Sequence, residues 1–287
     1  MLSKIDCLKM AESGFWPGPG ESEDHFTKRI EYTKTRSTQI PDLFNSERKK
    51  SILQITQHAF GITKLQIPVI FQNKGLSFWE GAVVWIDNVS GLAIPSIQIK
   101  QNFLKGSYFF YHIEEVVAHE ILHAARIEYD ESKYEEILAY RTSPQSVRKY
   151  IGPLFATVRD TYMFIGLFAL GLVFELIALF LGIIEQIPFL SLPVFWILLL
   201  GSRLYVRQRR FTTALSHLEK VLPRPLEALS VIAKLKDKEI DILAGLTCYQ
   251  VIDFLEKQSD SELRIRMLKE VHFGSVIATD KNKEIRG

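Results

Sequence analysis

Two histidines flank a glutamate in the stretch His119-Glu120-Ile121-Leu122-His123. The stretch lies inside an apolar, helix-like run from Ile113 to Ile127. On an α-helix, residues four apart share one face, one turn above the other. His119 and His123 can therefore offer two imidazole nitrogens to a single metal ion. Glu120 points about 100° round the helix from His119, within reach of a metal-bound water rather than of the metal itself. This arrangement suits a Zn²⁺ site in which Glu120 is the general base. With seven histidines in 287 residues, a chance H-E-x-x-H arises in about one chain in a hundred, before a surrounding helix is required.

A catalytic zinc site uses three protein ligands and keeps one position open. A third histidine in the metzincin pattern would need Gly at 126 and His at 129. The residues there are Arg126 and Tyr129, which excludes that class. A carboxylate on a following helix is the other common solution. Glu128 sits five residues past His123 on the same helix, pointing elsewhere, while Asp130 and Glu131 fall in the turn. Ser132-Lys133-Tyr134-Glu135 reads as a capping box that occupies Glu135. Glu136 is one step further round and free to face the motif helix, so it is the expected third ligand, with Glu135 the alternative. Ala139 would let the two helices approach closely, and Tyr140 could brace a ligand. His112 is two turns, about 10 Å, from His119 and too far to share its ion.

The pair of segments His119-Glu120-Ile121-Leu122-His123 and Glu136-Ile137-Leu138-Ala139-Tyr140 resembles the gluzincins. The likeness is greatest to their membrane-bound branch, with the CAAX prenyl proteases and HtpX-type proteases, and to the minigluzincins. There the third ligand opens a Glu-x-x-Ala-Asp type signature. Glu136 and Ala139 match it, and Tyr140 stands where Asp is common. The resemblance spans residues 45–145 and is specific over the two helices. It implies a zinc endopeptidase fold, with Glu120 as base and then proton donor on a peptide or protein substrate. It also implies a downstream group that steadies the oxyanion, for which Tyr134, His217, Tyr249 and His272 are candidates.

These side chains need a scaffold, and the residues before them supply an α+β pattern. Asn45 or Ser46 caps a helix running to Phe60, and Gly61 ends it. Leu65–Gln72, Ala82–Asp87 and Ile94–Phe103 read as strands of a small antiparallel sheet, with a turn at Asn73-Lys74-Gly75. Pro95 makes the last of these an expected edge strand, open to pairing with an extended peptide. The motif helix is expected from Ser107 to Glu128, and a second helix from Lys133 to Arg141. Ahead of them, residues 1–44 form an arm that is irregular around Gly14–Gly20, with a short charged surface helix over Glu21–Thr35. Trp16, Cys7 or His25 of this arm could also occlude a cleft.

Tyr162–Ile184 is almost continuously apolar, and Phe189–Ser202 follows after Glu185-Gln186-Ile187-Pro188. A run of about 20 such residues crosses a bilayer core. Residues 161–206 therefore read as a two-helix transmembrane hairpin, and the single charge of Glu175 should face protein rather than lipid. Arg141, Arg148, Lys149 and Arg159 precede it, and Arg203, Arg207, Arg209 and Arg210 follow. By the positive-inside rule the soluble parts face the cytoplasm, in a bacterial inner membrane rather than an organellar one. The hairpin also offers a surface for homo-oligomers. Residues 207–287 continue as a basic amphipathic helix over Arg207–Leu222 and then a helical subdomain. Thr247-Cys248-Tyr249-Gln250 and Ser259-Asp260-Ser261-Glu262 are capping-box patterns in it.

The formal net charge is +2, too small to argue for nucleic acid. Cys7 and Cys248 form no metal or redox motif, and Cys248 is expected to be a buried thiol. No signal-peptide core is visible in Met1–Gly14. The expected protein is thus an integral-membrane zinc metalloendopeptidase with a 45–150 peptidase domain. The alternative is a silent or latent membrane metalloprotein that acts as a scaffold or regulator.

Overall fold

The computed structural model describes residues 2–39, 44–77, 80–182, 191–222, 224–258 and 262–273. It is a helix-rich α+β protein with a small sheet. The chain begins with two helices, α1 (Lys4–Glu12) and α2 (Glu23–Gln39); α2 falls where the charged helix is expected and the stretch around Gly14–Gly20 is irregular, while α1 is not foreseen from the sequence. A capping box from Ser3 to Asp6 starts α1, and Arg29 ties α2 back to the turn before it. The Arg29 guanidinium is buried; it donates to the Trp16 carbonyl at 3.0 Å and to both carboxylate oxygens of Glu21. Trp16 packs edge-on against Phe60, and Cys7 joins Phe15, Phe26 and Met267 in a satellite core. His25 lies against Glu21 and the Gly91 carbonyl. None of these three side chains lines the cleft over His119 and His123.

Helix α3 (Ser46–Phe60) is capped by the Asn45 side chain and closed by Gly61 in the left-handed region, as its sequence predicts. Strands β1 (Val69–Phe71), β2 (Ala82–Val89) and β3 (Leu92–Ile99) form a sheet in the order β1-β3-β2. The sheet is mixed rather than antiparallel, because β1 runs parallel to β3. The Pro95 strand is central, not at the edge. The Ile97 amide on β3 donates toward β1, to the Pro68 carbonyl. Pro95, two residues earlier, lacks its donor on that same side, beyond the end of β1, where no ladder bond is lost. One edge is therefore β2.

The stretch expected as the first turns of the motif helix is a hairpin of β4 (Ser107–Tyr108) and β5 (Tyr111–His112). A run of four aromatics favours extended backbone over helix. The motif helix α4 (Ile113–Ala125) starts after it, and α5 (Glu135–Ala139) follows a turn through Asp130. Because α5 begins at Glu135, with Tyr134 as an N-cap whose side chain makes no capping bond, the Ser132 capping box does not form. Val117, Ala118, Ile121, Leu122 and Ala125 bury one face of α4 against α3 and the sheet. The opposite face carries His119, Glu120 and His123.

Helix α6 (Ser146–Ile151) leads to α7 (Val158–Phe180), which is long and apolar enough to cross a membrane and is largely exposed. It is one such helix among the described residues. The expected loop Glu185–Pro188 lies outside them. The described part of the second apolar stretch, 191–202, forms the start of α8 (Ser191–Val221). That helix does not stop at the 206/207 boundary. It runs on for 31 residues, burying Leu204, Phe211, Ala214 and Leu218 in the main core. Arg207, one of the arginines that follow the expected hairpin, is buried too. Arg203 meets Asp160 at the base of α7 rather than Glu175.

Beyond α8 come α9 (Ala228–Ile232), α10 (Asp237–Gly245), α11 (Cys248–Lys257) and α12 (Leu263–Leu268). The Thr247 capping box opens α11. The Ser259 box lies outside the described residues. Cys248 is half-buried, since it occupies the first turn of α11. One core cluster draws on residues from Ala11 to Leu268.

Candidate metal centre

Helix geometry brings the two motif imidazoles together: His119 Nε2 and His123 Nε2 are 3.1 Å apart. The turn through Asp130 sends α5 back across α4, and Ala139 is buried between them. That close approach puts Glu136 opposite the histidines. Its Oε2 is 3.6 Å from His119 Nε2 and its Oε1 is 3.5 Å from His123 Nε2. Three donors from two helices thus converge on one point. Two bonds of about 2.0–2.1 Å at a tetrahedral angle would separate two nitrogens by about 3.3 Å. The spacing and the His₂Glu donor set both fit Zn²⁺.

Glu135 is not held by a capping box. It accepts a hydrogen bond from His123 Nδ1 at 3.1 Å through one oxygen, and one from Arg126 Nε at 2.7 Å through the other. The bond to Nδ1 leaves Nε2 of His123 for the metal and fixes the ring plane. Arg126 is buried; its Nη1 donates to the carbonyls of Ala233 and Leu235. The C-terminal part of the chain therefore braces the His123 ring through Arg126 and Glu135. Tyr140 packs its ring edge-on to His119, with centroids 4.8 Å apart, and braces that ligand by contact. Sequence reasoning missed the Glu135–Arg126 pair, although Arg126 lies three residues past His123 on the same face.

The charges follow from this packing. Burial raises the Glu120 carboxyl, and Glu136 nearby adds to the rise against the opposing pull of His123; it reaches about 7. Burial and the neighbouring Glu135 likewise push Glu136 up, partly offset by His123. Burial pushes Glu135 up too, but Arg126 and His123 more than reverse it, and its carboxyl stays below the usual range. Burial lowers His119, with His123 adding to the fall.

A cleft of about 660 Å³ lies over the histidines. Its walls include Ala82, Val83, Val84 and Ile86 of β2 on one side and Glu120, Glu135 and Glu136 on the other. A second chamber of about 240 Å³ shares Ala82, His119 and Glu120, and is lined by Phe103, Tyr108, Tyr111 and Tyr140. The four expected oxyanion groups are elsewhere. Tyr134 donates to Asp241, His217 contacts the Leu243 carbonyl, His272 contacts Glu227, and Tyr249 is exposed. Tyr140 and its hydrogen-bonding neighbour Tyr111 line the chamber instead.

A second group, Glu21, His25 and Glu128, also has metal-ligand spacing. The Arg29 guanidinium already sits on Glu21 and lies 3.5 Å from Glu128, so a cation there would meet a resident positive charge. No family model matches this chain, and no curated protein or solved structure matches it.

Proposed function

We propose that the protein is an integral-membrane zinc metallopeptidase of gluzincin type. The observation that carries this reading is the convergence of His119 Nε2, His123 Nε2 and Glu136 beside a glutamate, at the floor of an open cleft. A Zn²⁺ held there would supply Lewis acidity and a water acidified toward neutrality. Glu120, next to His119 on α4 and lining the cleft, is the residue that would take a proton from the attacking water and return it to the leaving amine. The open edge of β2 offers backbone groups on which an extended peptide can align. Tyr140, edge-on to His119, and Tyr111 are hydroxyl donors that line the chamber beside His119 and Glu120.

The membrane part of the reading rests on α7 and on the composition of the chain just before Ser191. The two apolar stretches form a hairpin with its loop outward, and the soluble parts lie on the arginine-rich, cytoplasmic side. The complete motif favours an enzyme over a silent scaffold, since loss of Glu120 alone would suffice for inactivity. The test is Glu120→Gln. It should keep one Zn²⁺ per chain and lower peptide hydrolysis by about 10²- to 10⁴-fold. Undiminished turnover would remove Glu120 from the mechanism, and a wild-type chain that takes up no Zn²⁺ would end the metal reading.

A further inference from the structure

We infer that the β4–β5 hairpin and α6 form a lipid-binding face that sits in the headgroup layer of the membrane α7 enters. This rests on the membrane-spanning reading of α7. The tip residues Phe109 and Phe110 are 76% and 82% exposed. Phe109 adopts a positive φ of 51°, a conformation that costs a bulky side chain and that Gly or Asn would take readily. The turn thus presents two phenylalanines to the outside where a cheaper polar residue would close it.

The hairpin is fastened to α6. Arg148 donates to the Phe110 carbonyl and to Glu115 Oε2, and its guanidinium stacks over the Tyr111 ring at 4.2 Å. On the same stretch Val147, Tyr150 and Ile151 are exposed, and Phe155 packs on Phe164 of α7. The apolar surface therefore joins the hairpin tip to the first turns of the membrane helix. Aromatic side chains favour this depth of a bilayer.

Charge decides between a lipid surface and a second copy of the chain. Residues 101–112 and 146–159 contain no Asp or Glu, but they carry Lys105, Lys149 and Arg159 besides Arg148, whose charge is met by Glu115. Such a face attracts anionic headgroups. Across a two-fold axis it would meet its own positive charge, which disfavours an isologous dimer. Phe109 and Tyr111 also line the chamber that reaches His119 and Glu120, so a segment emerging from the bilayer would enter the cleft from this side.

The test uses the full chain in nanodiscs of phosphatidylethanolamine and phosphatidylglycerol. Phe110→Cys and, separately, Phe168→Cys on α7 are made with Cys248→Ser; Cys7 stays, since it is only 1% exposed. Each is labelled with an environment-sensitive dye. The expected result is a blue shift at both positions and a several-fold loss of emission when the acyl chains are brominated. A dye at 110 that stays in water while the dye at 168 is quenched overturns the inference and leaves the spanning helix intact. A dye at 168 that is not quenched overturns the spanning reading and the inference together. Should the dye distort the hairpin, the unlabelled chain answers the same question. A photoreactive phosphatidylglycerol headgroup should crosslink to residues 107–112 and 146–151, and crosslinks confined to other segments, or between two chains through these residues, refute the lipid face.

Discussion

Replacing Glu135 or Glu136 by glutamine separates two carboxylates that differ by one position and do different work. Glu135 holds His123 Nδ1 and Arg126 Nε, at 3.1 Å and 2.7 Å. Glu136 faces both Nε2 atoms and, among the described residues, has no arginine within salt-bridge range. Glu135→Gln keeps the shape but loses the charge. Loss of a group that orients a ligand weakens metal binding by about 10- to 100-fold, or about 1.4–2.7 kcal/mol. It also leaves Arg126 buried beside a neutral group. Breaking a buried pair costs about 3–5 kcal/mol; the carbonyls of Ala233 and Leu235 and the Glu131 carboxylate at 3.9 Å remain, so we expect about 2–3 kcal/mol here. Glu136→Gln should do the reverse. Zinc affinity should fall further than in Glu135→Gln, while the zinc-free fold changes by less than about 1 kcal/mol. Urea unfolding of the zinc-free chain and competition with a chromophoric chelator read the two quantities separately. If Glu135→Gln abolishes zinc binding with an unchanged urea midpoint, while Glu136→Gln unfolds early and keeps zinc, the assignment of the two glutamates is wrong.

Three further outcomes are expected. A methyl group at Gly152 would sit 2.4 Å from Tyr140 Cε1, so Gly152→Ala must push the ring that braces His119. It should cost about 1–3 kcal/mol and lower peptidase activity, whereas Gly245→Ala, with open space around it, should leave activity alone. Lys234 is buried against Ser230, Trp16 and His272, and burial lowers its ammonium from 10.5 to about 7, with Glu227 opposing the fall. Between pH 7 and 10.5 the unfolded chain keeps a proton that the folded chain has released. Lys234 should therefore contribute a rise in stability with pH across that window, by up to about 1.4 kcal/mol per unit. His272 (about 4) and Glu227 (about 2) titrate below it. In the zinc-free chain His123, raised from 6.5 to about 9, opposes the rise, because its contribution is lost over pH 6.5–9. The difference from Lys234→Met isolates the lysine: the variant should have a lower slope of urea midpoint against pH between pH 7 and 9, and an equal slope in both proteins would show that Lys234 contributes nothing to it. Asn45→Ala removes the bond to the Arg48 amide and should destabilise the fold by about 1 kcal/mol, measured by thermal unfolding.

Local signals in this chain were legible where the physics is local. Asn45 and Gly61 bound α3 because a side-chain acceptor and a left-handed residue act within one turn. The Thr247 box opens α11 for the same reason. Signals that depend on a partner misled. Ser132 has the spacing of a capping box, yet Glu135 is claimed by the Arg126 guanidinium and the His123 ring N–H, which together outweigh a single amide. Pro95 reads as an edge residue, yet β1 is too short to reach it, so a central position costs nothing. Tyr108 to Tyr111 satisfies the helical pattern before α4, and the hairpin wins through cross-strand pairing that periodicity cannot show.

By itself, the sequence determined the pair His119 and His123, the placement of Glu120 beside them, and the apolar run of α7. All three follow from spacing along one helix or from composition over one segment. Tertiary structure alone decided that Glu136 faces the histidines, that Glu135 orients one of them through Arg126, and that β2 is the cleft wall. Those outcomes depend on how a turn through Asp130 and a mixed sheet fold back on α4, and on contacts between residues more than 100 positions apart, such as Arg126 with Ala233. No spacing rule within a single element encodes a distance across the core.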